Sequence, residues 1–212
     1  MDPKERIVRE AAAMFLDEGI KSVRMDDIAA RLGVSKRTLY EMFGDKRDLL
    51  EQSVIWHFNR KRELMHERTR SAGNVFEEIL TILSDTSRNE RDAVLIANLK
   101  KFYPDICVGL EEEAHRYTHA KFDELLDRGI EEGLLMPDMN KELALMTLVY
   151  SMAAIFDKKH RGVPAHHVVS PTLAFEYVIV NFFRGLSTHK GIEIIDELVK
   201  NYREKNNREK NN

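Results

Sequence analysis

The chain has little of what builds a disulfide-bonded, secreted or membrane-spanning protein. Cys107 is the only cysteine, so no internal disulfide can form, and a reducing compartment such as the cytoplasm is expected. The longest stretch without a charged residue or proline is Leu143–Phe156, with 14 residues. A helix that spans a bilayer needs about 20 residues, so we expect no membrane partner. Residues 3–6 are a proline and three charged residues rather than part of an apolar segment, so no secretory signal is expected.

The motifs of catalysis are also missing. The sequence contains no glycine-rich phosphate loop, no activated-nucleophile motif and no group of three metal ligands. His115 and His119 lie four residues apart in a helical pattern, a spacing that can hold a metal ion, but no third His or Cys is near them in sequence. We interpret them as a solvated or hydrogen-bonded pair. We therefore expect no metal, no cofactor and no enzymatic activity, and turnover of a bound ligand would revive the enzyme alternative.

Positive charge is concentrated in one short part of the chain. The formal net charge is −3, which argues against a generally basic nucleic-acid-binding surface. Between Arg31 and Arg47, however, lysine and arginine outnumber aspartate and glutamate by three. This distribution indicates a small cationic head on an acidic body.

The cationic part coincides with two short helical patterns separated by a tight turn. The first pattern, Met25–Leu32, is followed by Gly33, which can end a helix in a left-handed conformation. Ser35 is placed to cap the second pattern, Lys36–Phe43, whose apolar side chains recur at a spacing of four. A helix, a glycine turn and a short helix with cationic and hydroxyl groups at its start are typical of a helix-turn-helix.

The polar face of the second pattern carries groups that bind DNA. Arg37 can read a guanine edge or grip a phosphate, Lys36 supplies charge, and Thr38 can contact a thymine methyl or a phosphate. Tyr40 and Lys46 are placed to bond phosphates. The predicted DNA-binding residues are Ser35, Lys36, Arg37, Thr38, Tyr40 and Lys46.

A resemblance to the tetracycline-repressor (TetR) family is carried by residues 33–50, GVSKRTLYEMFGDKRDLL. In that family G-V-S, a T-x-Y pair, a phenylalanine and a lysine at the start of the fourth helix recur in this order. Residues 128–144, RGIEEGLLMPDMNKELA, and residues 184–188, RGLST, resemble the body of the family. Arg24 departs from the pattern, because many members have a Ser or Thr cap there.

The chain is predicted to be all-α and to divide into a head and a body. Helical apolar spacing continues to Tyr202, and strand-like alternation with turn chemistry is not found. We expect a three-helix helix-turn-helix domain at residues 1–47 and a helical effector-binding and dimerisation domain at residues 48–202. Residues 203–212 repeat the pentapeptide REKNN without an apolar anchor, so we expect a disordered tail.

Two predicted helices of the body, Lys141–Phe156 and Pro171–Leu186, are apolar on nearly every side. A helix of this kind is buried on every side, which indicates an interface as well as a core. The resemblance implies that these helices pair with their mates from a second subunit in a four-helix bundle. It also implies that the fourth to eighth helices enclose a ligand cavity. A palindromic DNA site likewise requires a two-fold homodimer.

The effector is expected to be a small, partly apolar molecule. Its candidate ligands are aromatic and methionine side chains of the body, because methionine adapts to permissive binding surfaces. Ordinary core packing is the alternative for each of them, since pockets and cores use the same residue types. The candidates are Phe102, Tyr103, Tyr117, Met146, Tyr150, Met152 and Phe156.

These observations together predict a DNA-binding transcriptional regulator. The favoured hypothesis is a ligand-responsive repressor that binds double-stranded DNA at a palindromic operator as a homodimer. The alternative keeps the same head but makes the body a protein-interaction module with no small-molecule effector. A closed, fully packed body would favour that alternative, whereas a cavity would favour the effector.

Overall fold

The computed structural model describes residues 2–86, 90–156 and 171–210, which form ten α-helices. The helices are α1 (Pro3–Asp17), α2 (Met25–Leu32), α3 (Lys36–Phe43), α4 (Lys46–Thr69), α5 (Val75–Thr86), α6 (Glu90–Phe102), α7 (Pro104–Glu131), α8 (Lys141–Phe156), α9 (Pro171–Leu186) and α10 (His189–Lys210). Extended pairing within those ranges is limited to one bridge between Leu135 and Ser187. The prediction of an all-α fold is confirmed.

Side-chain caps explain where several helices begin. Asp45 precedes α4, and its carboxylate accepts a hydrogen bond from the Asp48 backbone N–H at 2.9 Å. Asn140 precedes α8 and accepts one from the Leu143 backbone N–H at 3.0 Å. Beyond the end of α7, Gly133 adopts a φ of 70°, a conformation that glycine reaches without steric cost. These local signals are the ones from which the helix bounds are predicted.

Helix α10 is longer than the sequence predicts. It continues to Lys210, so that most of the tail at residues 203–212 is helical rather than disordered. Arginine, glutamate and lysine are good helix formers, and extending a helix costs far less free energy than starting one. The buried side chains of Ile195 and Val199 anchor the preceding turns, from which the polar segment continues.

The first of two compact units comprises residues 1–71 and 88–116. Its core joins the head to α4, α6 and the start of α7, and α1 packs along α4. The unit therefore extends past the boundary expected at residue 47, because one continuous apolar core crosses it. Fully buried members of this core include Phe15, Ile28, Leu39, Leu50 and Leu99.

The second compact unit comprises residues 72–87 and 117–212, with its own core. The connection between α7 and α8 pairs with the connection between α9 and α10. The Met136 N–H donates to the Leu186 carbonyl at 2.9 Å, and the Thr188 N–H donates to the Leu134 carbonyl at 2.9 Å. The two body segments that carry the family resemblance are therefore in direct contact.

Candidate nucleic-acid interface

Two buried side chains and a cap set the position of α3. Leu39 and Phe43 are buried in the first core, with exposed fractions of 0% and 2%. The Ser35 hydroxyl oxygen accepts a hydrogen bond from the Thr38 backbone N–H at 3.0 Å. Gly33, with a φ of 66°, ends α2 and allows the tight turn between the two helices. The rotation of α3 about its axis is therefore fixed by packing.

The opposite face of α3 presents the predicted DNA-binding side chains to solvent. Lys36, Arg37 and Tyr40 are all exposed, and the Arg37 side chain is 88% exposed. The Thr38 hydroxyl lies 2.7 Å from the Ser35 hydroxyl, so these two residues serve the cap together. An exposed helix face with cationic and hydroxyl groups fits the major groove of B-DNA.

Both cations of this face are paired with acidic side chains. The Lys36 ammonium lies 2.7 Å from Asp26, and this hydrogen bond raises the pKa of Lys36. The Arg37 Nε donates to Glu41 Oε1 at 2.8 Å. Neither acid is among the predicted site residues. The spacing of four between Arg37 and Glu41 is the signal that could have found the second pair.

Lys46 takes part in a contact that the sequence does not predict. Its Nζ donates to the Ile20 carbonyl at 2.6 Å and lies 6.0 Å from the centroid of the Phe15 ring. Burial lowers the pKa of Lys46. The ammonium therefore attaches the start of α4 to the connection between α1 and α2. A phosphate contact stays a prediction, and it would use one of the two remaining ammonium protons.

Comparison with known proteins identifies the family of this head. Residues 7–53 match the sequence model described as bacterial regulatory proteins, tetR family. This part of the chain is a tetR-family DNA-binding head. The family model thus describes the head as the DNA-binding domain of a transcriptional regulator.

Relatives of this chain align over different lengths. The HTH-type transcriptional regulator YezE of Bacillus subtilis is 28% identical over 86 residues, which cover 41% of this chain and 44% of that protein. The HTH-type transcriptional repressor KstR2 of Mycolicibacterium smegmatis is 21% identical over 145 residues, covering 66% of this chain and 71% of that protein. Because the first alignment spans less than half of YezE, the assembly and effector of this chain do not follow from it.

A solved structure extends the likeness to the fold. The transcriptional regulator of the TetR family from Cytophaga hutchinsonii superposes with a TM-score of 0.66 at 13% identity. The match covers 87% of this chain and 94% of that chain. At this identity the likeness shows the fold alone. It agrees with a helix-turn-helix domain followed by a helical body.

The predicted effector residues in the first unit are Phe102 and Tyr103. The Lys21 ammonium lies 4.0 Å from the centroid of the Phe102 ring, and the Lys101 ammonium lies 5.3 Å from it. Tyr103 is half-buried and packs against the first core. The described contacts of Phe102 thus include two cations, which differs from the apolar pocket wall expected for it.

The other predicted effector residues lie in the second unit. Tyr117, Met146 and Tyr150 are exposed, with fractions of 38%, 44% and 68%. Met152 and Phe156 belong to α8, but their side chains lie outside the described residues. The seven residues are thus divided between the two units, and an effector role for them stays a prediction.

A cavity of about 380 Å³ lies between α4 and α7, within the first unit. Its lining is partly apolar and partly charged. The apolar lining residues include Ile55, Phe58, Ile106 and Leu110, and the charged ones are Glu51, Arg62, Glu113 and Arg116. None of them is among the predicted effector residues, because the two helices are separated by many residues in sequence and only the tertiary fold brings them together.

The described part of the chain contains neither a group of metal-binding side chains nor a membrane-spanning helix. His115 and His119 are exposed on α7. Among the described residues, no group of three or more His, Cys, Asp or Glu is arranged to hold a metal ion. Nor is any described helix long and apolar enough to cross a membrane.

Proposed function

We propose that this chain is a transcriptional repressor that binds a palindromic operator as a homodimer and is released by a small, partly apolar effector. The observation that carries the proposal is the capped, exposed helix α3, whose cationic face lies opposite its buried side chains. The name of the relative KstR2, a transcriptional repressor, supports the direction of the response. The protein would act in the cytoplasm, where the DNA of a bacterial cell lies.

Lys46 keeps its predicted phosphate contact in this proposal, and the residues on and before α3 have three different parts. Arg37 reads a guanine, Lys36 and Tyr40 bond phosphates, and Ser35 with Thr38 holds the start of α3 in place. Because the excess of positive charge near α3 is small, one head alone binds DNA weakly. Useful affinity requires two heads at a fixed spacing of about 34 Å, one turn of B-DNA.

Exposed apolar side chains on α8 and α9 support the homodimer. They are Leu143, Met146, Val149, Tyr150, Tyr177 and Val178, each at least 37% exposed. The two helices pack against each other in the second unit, so these side chains lie on neighbouring elements. Large exposed apolar patches mark association surfaces. A second copy meeting the same surface across a two-fold axis would cover them.

The cavity between α4 and α7 supports an effector. Its volume lies in the range of about 300–1,000 Å³ that is usual for ligand pockets. Helix α4 packs along α1 and is attached to the α1–α2 connection through Lys46. A ligand that favours a shifted α4 would therefore move the head, and two moved heads would no longer match successive major grooves.

Fluorescence anisotropy with labelled duplexes from the region upstream of the gene tests the DNA-binding proposal. We expect saturable binding that weakens steeply as salt rises, because phosphate neutralisation releases counterions. Arg37→Ala should reduce the preference for this DNA over a scrambled duplex. Equal affinity for both duplexes at every salt concentration would contradict a specific operator.

Variants of Gly109 test the effector site. A Cβ at this position would meet nothing within 4 Å, so Gly109→Phe places a ring in the cavity without a clash at its root. Gly109→Ala is the matched control, since it raises helix propensity and fills little space. Compounds that release DNA from the wild type and from Gly109→Ala should fail with Gly109→Phe. Release of DNA from all three proteins would place the effector elsewhere.

A further inference from the structure

Glu41 is an acidic side chain on the face of α3 that would meet DNA. Its side chain is 59% exposed, and it lies one helical turn after Arg37 on the same side of the helix. A carboxylate near a phosphate backbone lowers affinity, because it opposes the neutralisation that drives binding. Affinity for DNA therefore does not explain why Glu41 lies on this face of α3.

The hydrogen bond between the two side chains supplies that benefit. Glu41 Oε1 accepts from Arg37 Nε at 2.8 Å. The guanidinium group is planar, so a bond at Nε orients the plane and leaves both terminal amino groups of Arg37 unobstructed by Glu41. Those two amino groups form the fork that spans O6 and N7 of a guanine.

We propose that Glu41 is a specificity-determining residue, which holds the Arg37 guanidinium with its terminal amino groups directed at a guanine of the operator. The inference rests on the proposed reading of DNA by α3. Without Glu41, the Arg37 side chain, which is 88% exposed, would populate several rotamers and would bind phosphates as readily as bases. Glu41 thus exchanges non-specific affinity for discrimination between base pairs.

Three general energies set the range expected for the loss of base preference when Glu41 is removed. A guanine read by both amino groups is preferred by roughly 5- to 150-fold over another base at that position. An exposed pair spaced by four residues on a helix changes an equilibrium by about twofold. The full rotamer entropy of an arginine corresponds to about 30-fold. Removing Glu41 should therefore lower the preference by between about twofold and 30-fold.

The head contains a matched control. Arg31 and Glu18 form another exposed pair, at 3.1 Å with side chains 51% and 46% exposed, but neither lies on α3. Glu18→Ala removes an acid of similar exposure, and it leaves α3 unchanged. Glu41→Gln is the second control, because its amide oxygen can still accept from Arg37 Nε while the charge is lost.

The test uses the full chain and a randomised duplex library. Selection with the wild type and with Arg37→Ala identifies the base pair whose preference depends on Arg37. Affinities of Glu41→Ala, Glu41→Gln and Glu18→Ala are then measured by anisotropy on the selected duplex and on its three single-base variants. We expect Glu41→Ala to lose preference at that base pair, and the other two variants to keep most of it.

The outcomes separate this inference from the proposed function. An unchanged preference in Glu41→Ala overturns the positioning role while leaving the repressor intact. A loss confined to a different base pair also overturns it, since Glu41 would then read a base itself. If Arg37→Ala changes no base preference, Arg37 is a phosphate contact and the inference fails. If the wild type selects no duplex at all, the proposed function fails as well.

Discussion

Both compact units bury a carboxylate, but they neutralise it with different bases. In the first unit Asp92 of α6 has an 11% exposed side chain. His57 Nε2 lies 2.9 Å from its Oδ1, and the Lys61 ammonium bonds to its other oxygen. Both bases come from α4, so one aspartate joins α6 to two successive turns of the long helix.

In the second unit the buried carboxylate belongs to a longer chain of charges. Glu78 of α5 has a 6% exposed side chain that pairs with Lys121, at 2.9 Å, and with Arg128. Lys121 also pairs with Glu124 at 2.8 Å, and Arg128 pairs with Glu132 at 3.3 Å. Two permanent cations of α7 thus converge on one carboxylate.

The two clusters differ in the basic side chains that would remain if the central carboxylate were removed. Burial raises the pKa of each carboxyl, but hydrogen bonds from the two bases outweigh this effect and hold both pKa values below the ordinary range. Around Asp92, the permanent cation Lys61 is 36% exposed and reaches water, and the more buried partner is a histidine. Around Glu78, Lys121 is only 17% exposed and keeps its charge. The second cluster should therefore depend more strongly on its central acid.

The largest effect is expected for Glu78→Ala. Removing one partner of a buried charge pair costs about 3–5 kcal/mol of the free energy of unfolding, because Lys121, which is only 17% exposed, is left without it. Urea unfolding followed by circular dichroism measures this loss. Glu124→Ala is the matched control, since Glu124 is 57% exposed and bonds the same lysine. A loss in Glu78→Ala no larger than that of the control would mean that Lys121 turns to solvent.

Asp92→Ala should cost less, about 1–3 kcal/mol, the penalty for leaving buried hydrogen-bonding groups unpaired. Trp56, the only tryptophan, lies in α4 of the first unit, so its fluorescence during urea unfolding reports on this region. Lys61→Ala is a useful companion, because it removes the permanent cation and leaves the imidazole bond. A larger loss in Asp92→Ala than in Glu78→Ala would reverse the comparison of the two units.

A smaller effect is expected from acid, with the same sign in both units. A carboxyl whose pKa is lower in the folded state stabilises the fold above its unfolded pKa, and this contribution is lost as pH falls through the folded pKa. Stability should therefore fall below about pH 4. Thermal unfolding at a series of pH values should show a weaker decline in Asp92→Asn and Glu78→Gln. If the stability of these two variants falls with pH as steeply as that of the wild type, other titratable groups cause the acid sensitivity.

The smallest effect is expected at the exposed pair of Arg31 and Glu18. Exposed ion pairs contribute about 0.2–1 kcal/mol, because water and salt screen them. Glu18→Ala should therefore change the urea midpoint little, and added salt should remove the difference. A loss comparable with that of Asp92→Ala would show that burial is not what separates these pairs.

The head was predictable because its signals are local. Gly33, Ser35 and Gly44 mark the turn, the cap and the end of α3 within a dozen residues, and the bounds of α2 and α3 match the patterns in the sequence. The buried positions of α3 follow from a spacing of four. Helix bounds and outward faces of this kind need no knowledge of distant contacts.

The remaining features depend on contacts between distant segments. Lys46 reaches the carbonyl of Ile20, 26 residues earlier, which no spacing rule foretells. The cavity unites residues of α4 with residues of α7. Met146 and Tyr150 have the composition of pocket residues, but their exposure depends on which face of α8 the second core covers. Composition alone cannot distinguish a pocket from an outer surface.

The state of Cys107 has a practical consequence. Its side chain is buried, and burial together with the neighbouring Glu111 raises the pKa of its thiol. The thiolate is the reactive form, so this thiol should react slowly with maleimides at neutral pH. A cysteine introduced at an exposed position outside the apolar surface of α8 and α9, as in Glu193→Cys, can then carry a spin label without removal of the native cysteine. Distances between the two labelled subunits of the proposed homodimer would become measurable in an otherwise natural chain.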